Sequence, residues 1–365
     1  MKNAYHPAFR INGQAFDYAH LGEVGYSLVK EGDSYERDIG DFLIDWVSDR
    51  DHIVQQSSGS TGAPKPIRLL KEHMIHSARV TGEFLGLGPG SRAMVCLPMS
   101  AIAGKMMLVR AMVLGWDLYM VPPVSDPLRE VSGSFDFAAM VPLQVEKSIR
   151  KLARVQKLIV GGAPVLPSLL SRLPAGGSEI WQTYGMTETA SHIALRKLQP
   201  VPAGQDPEAV LPPYTALEGI RLELDARGCL VIYAPGWSDH VIHTNDMVQL
   251  ESETTFRWLG RIDHVVNSGG VKLMPDLLEV RMSPYLDHRF FLYGMDDASL
   301  GQKLVMVAEG QKDPEAVRKA LEGSGSFAKY ELPREIYCLP SFEETMTGKV
   351  DRIKTIKKIQ TLKKN

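Results

Sequence analysis

A segment rich in glycine and hydroxyl side chains, SSGSTGAPK, runs from Ser57 to Lys65. Glycine lets backbone amides approach an anion closely, while hydroxyl groups and a lysine add donors and positive charge. The segment predicts a polyphosphate site with donors from Ser58, Gly59, Ser60, Thr61, Gly62 and Lys65. It is not a Walker A loop, because prolines stand where that loop requires its second glycine and its magnesium-binding hydroxyl. A polar surface turn is the alternative for this stretch taken alone.

Three further regions carry groups suited to the same chemistry. YGMTE runs from Tyr184 to Glu188; HTND, ending at Asp246, is followed by LGRID, ending at Asp263, and by SGGVKLMP; TGKVDR ends at Arg352. In this order and at these intervals the segments resemble the signature motifs of the adenylate-forming superfamily. That superfamily includes acyl-CoA synthetases, luciferases and the adenylation domains of peptide synthetases. The resemblance covers most of the chain, from the glycine-rich segment to TGKVDR.

The resemblance implies a two-step reaction. A carboxylate attacks the α-phosphate of ATP, pyrophosphate leaves, and the thiol of coenzyme A then takes the acyl group from the acyl-adenylate. Negative charge gathers on the phosphoryl oxygens, so the site needs preorganised donors and cations. By resemblance, Lys349 is the catalytic lysine that reaches the α-phosphate and the acyl carboxylate, Thr187 donates to phosphate, and Glu188 is an oxygen ligand for Mg²⁺. A surface lysine in a lysine-rich tail is the alternative for Lys349.

Other residues are assigned to the nucleotide. Asp246 is a candidate for the ribose hydroxyls, because a carboxylate accepts from two adjacent OH groups, and Arg261 is a candidate for ribose or phosphate. An ordinary surface ion pair is the alternative for both. The remaining nucleotide candidates lie in GGAP and YGMTE: Gly161, Gly162, Ala163, Tyr184, Gly185 and Met186. A plain turn after a strand is the alternative for GGAP, and core packing is the alternative for the tyrosine.

The resemblance also implies a hinge and a thiol tunnel. In the family, the boundary between a large and a small domain falls at the residue corresponding to Asp263. The segment SGGVK resembles the one that faces the active site after the small domain rotates, which makes Gly269, Gly270 and Lys272 candidates for the thiol tunnel. Rotation would exchange the Lys349 loop for this segment between the two half-reactions. A hairpin turn is the alternative.

The acyl pocket is expected in the segment LPMSAIAGKMMLVRAMVLGW, which has Ala101 where relatives often carry a histidine. Lys105 is a candidate for a second anionic group of the substrate, with a lysine snorkelling from a helix as the alternative. His192 is a further acyl-substrate candidate, with a satisfied structural histidine as the alternative. The short chain and this segment resemble the 2-succinylbenzoate–CoA ligases of menaquinone biosynthesis, whose substrate keeps a free aromatic carboxylate.

Other functions remain open at this point. One is an aryl- or fatty-acyl-CoA synthetase, and another is a stand-alone adenylation enzyme that loads a carrier protein. A catalytically silent nucleotide sensor is disfavoured, because Lys349 and Glu188 are both present.

The spacing of apolar runs predicts an α/β fold. RAMVCLP, DLYMVP, DFAAMVP, KLIVGG and EIWQTYG each end in Pro or Gly, as buried parallel strands do, and helical stretches are expected between them. Alternating segments then predict antiparallel hairpins, a β-rich subdomain at about residues 215–260. After it, FFLYGM, KLVMVAEG, EIYCLP and the helix PEAVRKALEG predict a compact α+β unit.

We therefore predict a large N-terminal domain of layered α/β subdomains over residues 1–262 and a small mobile C-terminal domain over 263–365, with a hinge near Asp263. Because the glycine-rich segment begins as early as Ser57, we expect a reduced N-terminal subdomain. The basic C-terminal run is expected to be a helix with Ile353, Ile356 and Ile359 on one apolar stripe.

Composition limits the partners. The chain has 365 residues, 23% of them charged, and a net charge of −2, so no global field favours nucleic acid or an anionic membrane. We expect small-molecule partners. The three cysteines are odd in number and widely separated, which argues against a disulfide framework or a zinc site and favours a reducing cytoplasm. No signal core or membrane span is evident. Oligomeric state stays open.

Overall fold

The computed structural model describes residues 4–56, 65–202, 205–344 and 350–362. The strands in these ranges are β1 (Arg10–Ile11), β2 (Gln14–Ala15), β3 (His52–Gln56), β4 (Pro66–Leu70), β5 (Arg92–Val95), β6 (Asp117–Met120), β7 (Phe135–Met140), β8 (Val155–Val160), β9 (Glu179–Gly185), β10 (His192–Leu198), β11 (Tyr214–Ala216), β12 (Arg221–Leu224), β13 (Cys229–Tyr233), β14 (Ile242–Leu250), β15 (Thr255–Arg261), β16 (Val266–Ser268), β17 (Val271–Leu273), β18 (Phe290–Asp297), β19 (Gly301–Glu309) and β20 (Glu335–Leu339).

The α-helices in the same ranges are α1 (Leu21–Glu31), α2 (Ser34–Val47), α3 (Lys71–Leu85), α4 (Ile102–Leu114), α5 (Pro142–Lys147), α6 (Pro167–Leu170), α7 (Pro207–Val210), α8 (Pro275–Met282), α9 (Pro314–Gly323) and α10 (Arg352–Leu362). Among these helices, none combines the length and the apolar composition that a bilayer crossing requires.

A 13-stranded sheet forms the larger layer, in the order β12-β13-β14-β15-β11-β10-β9-β8-β7-β5-β6-β1-β2. The strands predicted from the apolar runs, β5 to β9, pair in parallel as expected. Their crossovers differ from the expectation, since only a 3₁₀ turn, Pro127–Arg129, lies between β6 and β7. That connection is rich in proline, which lacks the N–H that a longer helix would use.

The other end of this sheet is antiparallel. Strands β12 and β13 form the hairpin predicted from RLELDARGCLVIYA, and β14 and β15 form the one predicted from VQLESETTFRWLG. Strand β10 joins the two halves, because it pairs antiparallel with β9 on one side and with β11 on the other. The chain thus has the mixed α/β fold class that the sequence predicts.

Helices α3 and α4 pack together and against the large sheet. Helix α4 is apolar on nearly every side, and its residues from Met106 to Met112 are buried. A helix that is apolar all round belongs in the interior of a protein. Within α4, the side chains of Lys105 and Arg110 are therefore the exceptions that need polar partners.

A separate sheet follows the large one. Strands β17, β16, β19 and β18 are hydrogen-bonded in that order, and β20 pairs parallel with β19. The large sheet ends at Arg261 and this one begins at Val266, so the predicted hinge at Asp263 falls in the 3₁₀ helix Ile262–His264 between them. The predicted hinge and the domain bounds stay predictions.

The predicted stripe on the C-terminal helix is partly wrong. Ile356 and Ile359 of α10 are buried, but Ile353 is 44% exposed. Each residue turns an α-helix by about 100°, so positions i, i+3 and i+6 spread over roughly 120° of the surface. The first isoleucine therefore rotates out of the stripe that the other two occupy.

Candidate active site

The strands around the glycine-rich segment form an antiparallel hairpin. Strands β3 and β4 pair from His52–Leu70 to Gln56–Pro66, so the segment connects the end of one strand to the start of the next. Ser58, Gly59, Ser60, Thr61 and Gly62 lie outside the described residues. Lys65 is described, and it is exposed immediately before β4. Strand β4 contacts the 3₁₀ helix Thr187–Thr189, so this hairpin and the YGMTE segment are neighbours in the fold.

The carboxyl ends of two parallel strands bring the next candidates together. Gly161, Gly162 and Ala163 follow β8, whereas Tyr184 and Gly185 end β9, its parallel neighbour. In open α/β sheets ligands bind at this edge, beyond the carboxyl ends of the strands.

Glycine at position 185 is also required by the close packing of β9 against β10. A Cβ atom there would meet the backbone oxygen of Ser191 at 2.4 Å and Cα of His192 at 2.5 Å. Only glycine lets β9 and β10 approach so closely at this point.

Asp246 of β14 lies at the centre of a buried hydrogen-bond network. Its Oδ2 accepts from the hydroxyl of Tyr184 at 2.7 Å, and its Oδ1 accepts from Nε1 of Trp258 at 3.2 Å. Arg261 stands opposite Asp246 in the β14–β15 register, with 3.9 Å between Nη1 and Oδ1. Burial, followed by the nearby Asp246 charge, raises the pKa of Tyr184 well above its ordinary value. The carboxylate is thus tied to the end of β9, and an ordinary surface ion pair does not describe it.

The two candidates for phosphate and metal, Thr187 and Glu188, lie in a single 3₁₀ turn after β9. Thr189 closes this turn, because its hydroxyl accepts from the backbone N–H of Met186 at 3.1 Å. Glu188 is exposed. An accessible carboxylate beside a hydroxyl is a suitable oxygen donor set for Mg²⁺.

Lys105 connects helix α4 to the hairpin formed by β3 and β4. Its Nζ donates to Oε1 of Gln55 at 2.7 Å, and Nε2 of Gln55 donates to the backbone oxygen of Ser100 at 2.7 Å. Burial lowers the pKa of Lys105, and the charge of Asp45 opposes that shift. A neutral amide therefore holds one of the three ammonium donors of Lys105 beside the last residues of β3.

His192 belongs to a different polar cluster, at the start of β10. The hydroxyl of Thr81 donates to the backbone oxygen of Ser77 at 2.8 Å, so it accepts from Nε2 of His192 at 3.2 Å. Nδ1 of the ring is then the acceptor, and Arg110 Nη2 approaches it at 3.5 Å. Burial and the Arg110 charge hold the pKa of His192 well below its ordinary value, so the imidazole is neutral.

Arg110 is the functional candidate that the sequence analysis missed. It is 2% exposed, and its guanidinium contacts Ser191 Oγ, His192 Nδ1 and the sulfur of Met107, while its Nε has no partner. No carboxylate pairs with it within the described ranges. Burial lowers the pKa of this arginine to about 9. Arg110 is one of two cations in an otherwise apolar helix, and that pattern was the signal available in the sequence.

Some candidates are not brought to this site. Gly269 and Gly270 form the turn of the β16–β17 hairpin with φ of 59° and 85°, a left-handed conformation that favours glycine, and Lys272 is exposed on β17. In the described part of the chain, no hydrogen bond or ion pair joins these residues to the large sheet. Lys349 lies outside the described residues. Glu344 and Val350, on either side of it, form an isolated antiparallel bridge.

Comparison with known proteins agrees with this architecture. The profile of a family described as AMP-binding enzyme matches residues 45–218. A crystal structure of an acyl-CoA synthetase (AMP-forming)/AMP-acid ligase II-like protein from Dyadobacter fermentans is 35% identical, covers 93% of this chain and 98% of its own, and has a TM-score of 0.59. The chain belongs to the AMP-binding enzyme family of AMP-forming acid–CoA ligases.

More distant relatives extend the similarity. A probable 2-succinylbenzoate–CoA ligase of Mycobacterium tuberculosis is 25% identical over 380 residues, which cover 93% of this chain and 92% of the relative. The O-succinylbenzoate coenzyme A synthetase of Bacillus subtilis, solved with ATP and a magnesium ion, has a TM-score of 0.71 at 18% identity and covers 92% of this chain and 82% of its own. At that identity the second likeness supports the fold alone.

Proposed function

We propose that this enzyme is an ATP-dependent acid–CoA ligase that acts on 2-succinylbenzoate. In the first half-reaction, an oxygen of the succinyl carboxylate attacks the α-phosphorus of ATP, and the bond to the bridging oxygen breaks to release pyrophosphate. In the second, the sulfur of coenzyme A attacks the acyl carbonyl and AMP leaves. The reaction uses ATP and CoA as substrates and Mg²⁺ as the metal.

The nucleotide residues have distinct tasks in this proposal. Amides and hydroxyls of the segment from Ser57, with Lys65, hold the phosphates, while Thr187 donates to them. Asp246 accepts from ribose hydroxyls with the lone pairs that Tyr184 and Trp258 leave open, because each carboxylate oxygen accepts more than one hydrogen bond. Glu188 would hold Mg²⁺, which neutralises charge on the phosphate oxygens when bound.

The small domain supplies the remaining groups. Lys349 brings the α-phosphate and the acyl carboxylate together, and rotation about Asp263 then presents Gly269, Gly270 and Lys272 to the thiol. We place the enzyme in the cytoplasm, where its free cysteines, Cys96, Cys229 and Cys338, would persist as thiols.

One observation supports 2-succinylbenzoate as the substrate: Arg110 is buried and has no carboxylate partner in the described ranges. A buried charge is costly unless it is paired, so a ligand anion would complete the site. 2-Succinylbenzoate has such an anion, because its ring carboxylate stays free while its succinyl carboxylate reacts. Arg110 replaces Lys105 as our first candidate for this carboxylate, because Arg110 is the more deeply buried of the two cations and Lys105 is only partly buried.

Acid-dependent exchange of pyrophosphate into ATP tests the proposal. The acids would be 2-succinylbenzoate, 4-oxo-4-phenylbutanoate, which lacks the ring carboxylate, benzoate and a mid-chain fatty acid. We expect kcat/KM to be highest for 2-succinylbenzoate, and CoA thioester to form when CoA is added. Preference for benzoate or the fatty acid would contradict the substrate, and acyl transfer to a carrier protein but not to CoA would contradict the acceptor.

A variant separates the two half-reactions. Lys349→Ala should abolish adenylate formation while sparing transfer from a supplied acyl-adenylate to CoA, because the lysine acts at the phosphoryl group. Equal loss of both half-reactions would contradict the role assigned to Lys349.

A further inference from the structure

Two carboxylates on α8 share one partner outside the nucleotide site. Asp276 and Glu279 are three positions apart, so they lie on the same face of the helix. Nη2 of Arg352, the first residue of α10, lies 2.8 Å from Oε2 of Glu279 and 3.5 Å from Oδ1 of Asp276. The guanidinium also lies 5.6 Å from the ring centre of Phe291. Arg352 is thereby fixed in orientation by charge on one side and by an aromatic ring on another.

Asp276 also binds both sides of the predicted hinge. Its Oδ2 accepts from the backbone N–H of Arg261 at 3.0 Å, and Nδ1 of His264 lies 3.0 Å from both of its oxygens. A Cβ atom at Gly260 would come within 3.0 Å of the same carboxylate, so β15 passes close beside it. One carboxylate therefore contacts the residues on either side of Asp263 and Arg352 together.

Glu279 has a second, backbone partner. Its Oε1 accepts from the N–H of Leu292 on β18 at 2.7 Å, while Oε2 is held by Arg352. Burial raises the pKa of Glu279 to about 7; Arg352 and His264 oppose the shift, and Asp276 adds to it. Both oxygens have partners in the folded chain, so this side chain is immobilised by its own contacts.

Arg352 follows Lys349 by three positions in the sequence. Next to the bridge between Glu344 and Val350, the N–H of Asp351 donates to the backbone oxygen of Glu343 at 2.7 Å. The N–H of Glu343 in turn donates to Oγ1 of Thr355 at 3.1 Å. These bonds attach Glu343 and Glu344, which precede the segment 345–349, to Val350 and to the first turn of α10. Whatever holds the start of α10 thus holds the described residues on both sides of that segment.

We propose that Asp276 and Glu279 are positioning residues for adenylate formation: through Arg352 they hold Glu344 and Val350, the described residues on either side of the segment that contains Lys349, against the segment that contains Asp263. The inference rests on the proposed function, in which Lys349 acts on the α-phosphate. Small misplacements of a catalytic group slow a reaction strongly, so loss of either carboxylate lowers kcat. The second half-reaction does not use Lys349 and is affected less.

The experiment uses two isosteric variants of the full chain, Glu279→Gln and Asp276→Asn. Glu331→Gln is the matched control, because Glu331 pairs with Arg281 of the same helix at 2.6 Å without touching Arg352 or the hinge segment. Each variant is measured for pyrophosphate exchange, for transfer from a supplied acyl-adenylate to CoA, and for hydrogen exchange of the amides from Val350 to Thr355.

We expect kcat for pyrophosphate exchange to fall about tenfold in both test variants, with KM for ATP changed less than about twofold and transfer to CoA nearly unchanged. Amide exchange from Val350 to Thr355 should speed up in these variants and not in Glu331→Gln. In the wild type, kcat for pyrophosphate exchange should also decline as Glu279 takes up a proton below about pH 7, a step that Glu279→Gln lacks.

Unchanged amide exchange in both test variants would overturn the inference, and so would equal loss of the two half-reactions. A wrong proposed function would give a different experimental result from a wrong positioning role. The wild type would then exchange no pyrophosphate with any of the acids, while the amide exchange of the two test variants would still show whether Asp276 and Glu279 hold the residues from Val350 to Thr355.

Discussion

Two arginines occupy opposite electrostatic surroundings in this enzyme. Arg110, on helix α4 beside the large sheet, contacts only neutral groups, Ser191 and His192 among them. Arg352, in the smaller α+β unit, is matched by two carboxylates on α8. Arg110 is 2% exposed and the side chain of Arg352 is 22% exposed, so burial penalises the charge of Arg110 more strongly.

The difference shows what each arginine is suited to do. A buried cation whose neighbours are all neutral lacks a counter-ion, and in the proposed function a substrate carboxylate would supply it. A cation that is already paired has no such need and serves to hold protein segments together. Local charge balance therefore separates a binding role from a positioning role, and this contrast is open to measurement.

The largest expected effect is on substrate binding. Arg110→Met should lower kcat/KM for 2-succinylbenzoate by on the order of 100-fold or more, because it removes a desolvated charge pair. Activity with 4-oxo-4-phenylbutanoate should change little, since that acid has no ring carboxylate. Arg110→Lys is the matched control, which keeps the charge without the planar fork. Equal losses with the two acids would make Arg110 a structural residue.

The free energy of unfolding should fall when Arg352 is replaced and should not fall when Arg110 is replaced. Arg352→Met leaves two carboxylates without their cation and should lower the free energy of unfolding by about 3 to 5 kcal/mol. Arg110→Met replaces an unpaired buried charge with an apolar side chain and should not lower it. Urea denaturation with parallel detection of both sheets measures the two values. A comparable loss in both variants would remove the contrast.

The pH dependence of stability is the third test. The pKa of Glu279 is raised from 4.5 to about 7 in the folded chain. The folded chain thus keeps a proton that the unfolded chain releases, so this group's stabilising contribution is present below pH 4.5 and is lost as pH rises through 7. Relative to Glu279→Gln, the wild type should lose on the order of 3 kcal/mol across this range. A pH-independent difference would contradict the shift.

The contribution of His192 to stability should depend on pH in the opposite direction. Its pKa is lowered well below 6.5, so the unfolded chain binds a proton before the folded chain does, and stability falls as pH drops below 6.5. Relative to His192→Gln, the wild type should lose no more than about 2 kcal/mol between pH 6.5 and 5. Urea denaturation at these pH values measures it. A gain of stability in acid would mean that the imidazole is charged.

Much of the architecture follows from local patterns in the sequence. The parallel strands β5 to β9 were predictable because each apolar run is bounded by proline or glycine, and the hairpins because polar turn residues interrupt alternating strands. The face that a helix buries was harder to predict. Ile353 was assigned to a buried stripe that only Ile356 and Ile359 occupy, because small angular steps accumulate along a helix.

The site was harder to predict for a different reason. Motifs named Tyr184 and Asp246 separately, but the hydrogen bond between them joins strands 62 positions apart and depends on the sheet order. Arg110 was missed because the informative property is the absence of a counter-ion in the described structure, which no sequence pattern contains. Pairing in three dimensions decides what a buried charge does.

The most direct test is a crystal structure of the enzyme with a non-hydrolysable acyl-adenylate analogue of 2-succinylbenzoate. We expect the ring carboxylate to lie within about 3.5 Å of the Arg110 guanidinium and the ribose to lie on Asp246. A ring carboxylate bound elsewhere, with Arg110 still contacting only Ser191, His192 and Met107, would contradict this expectation.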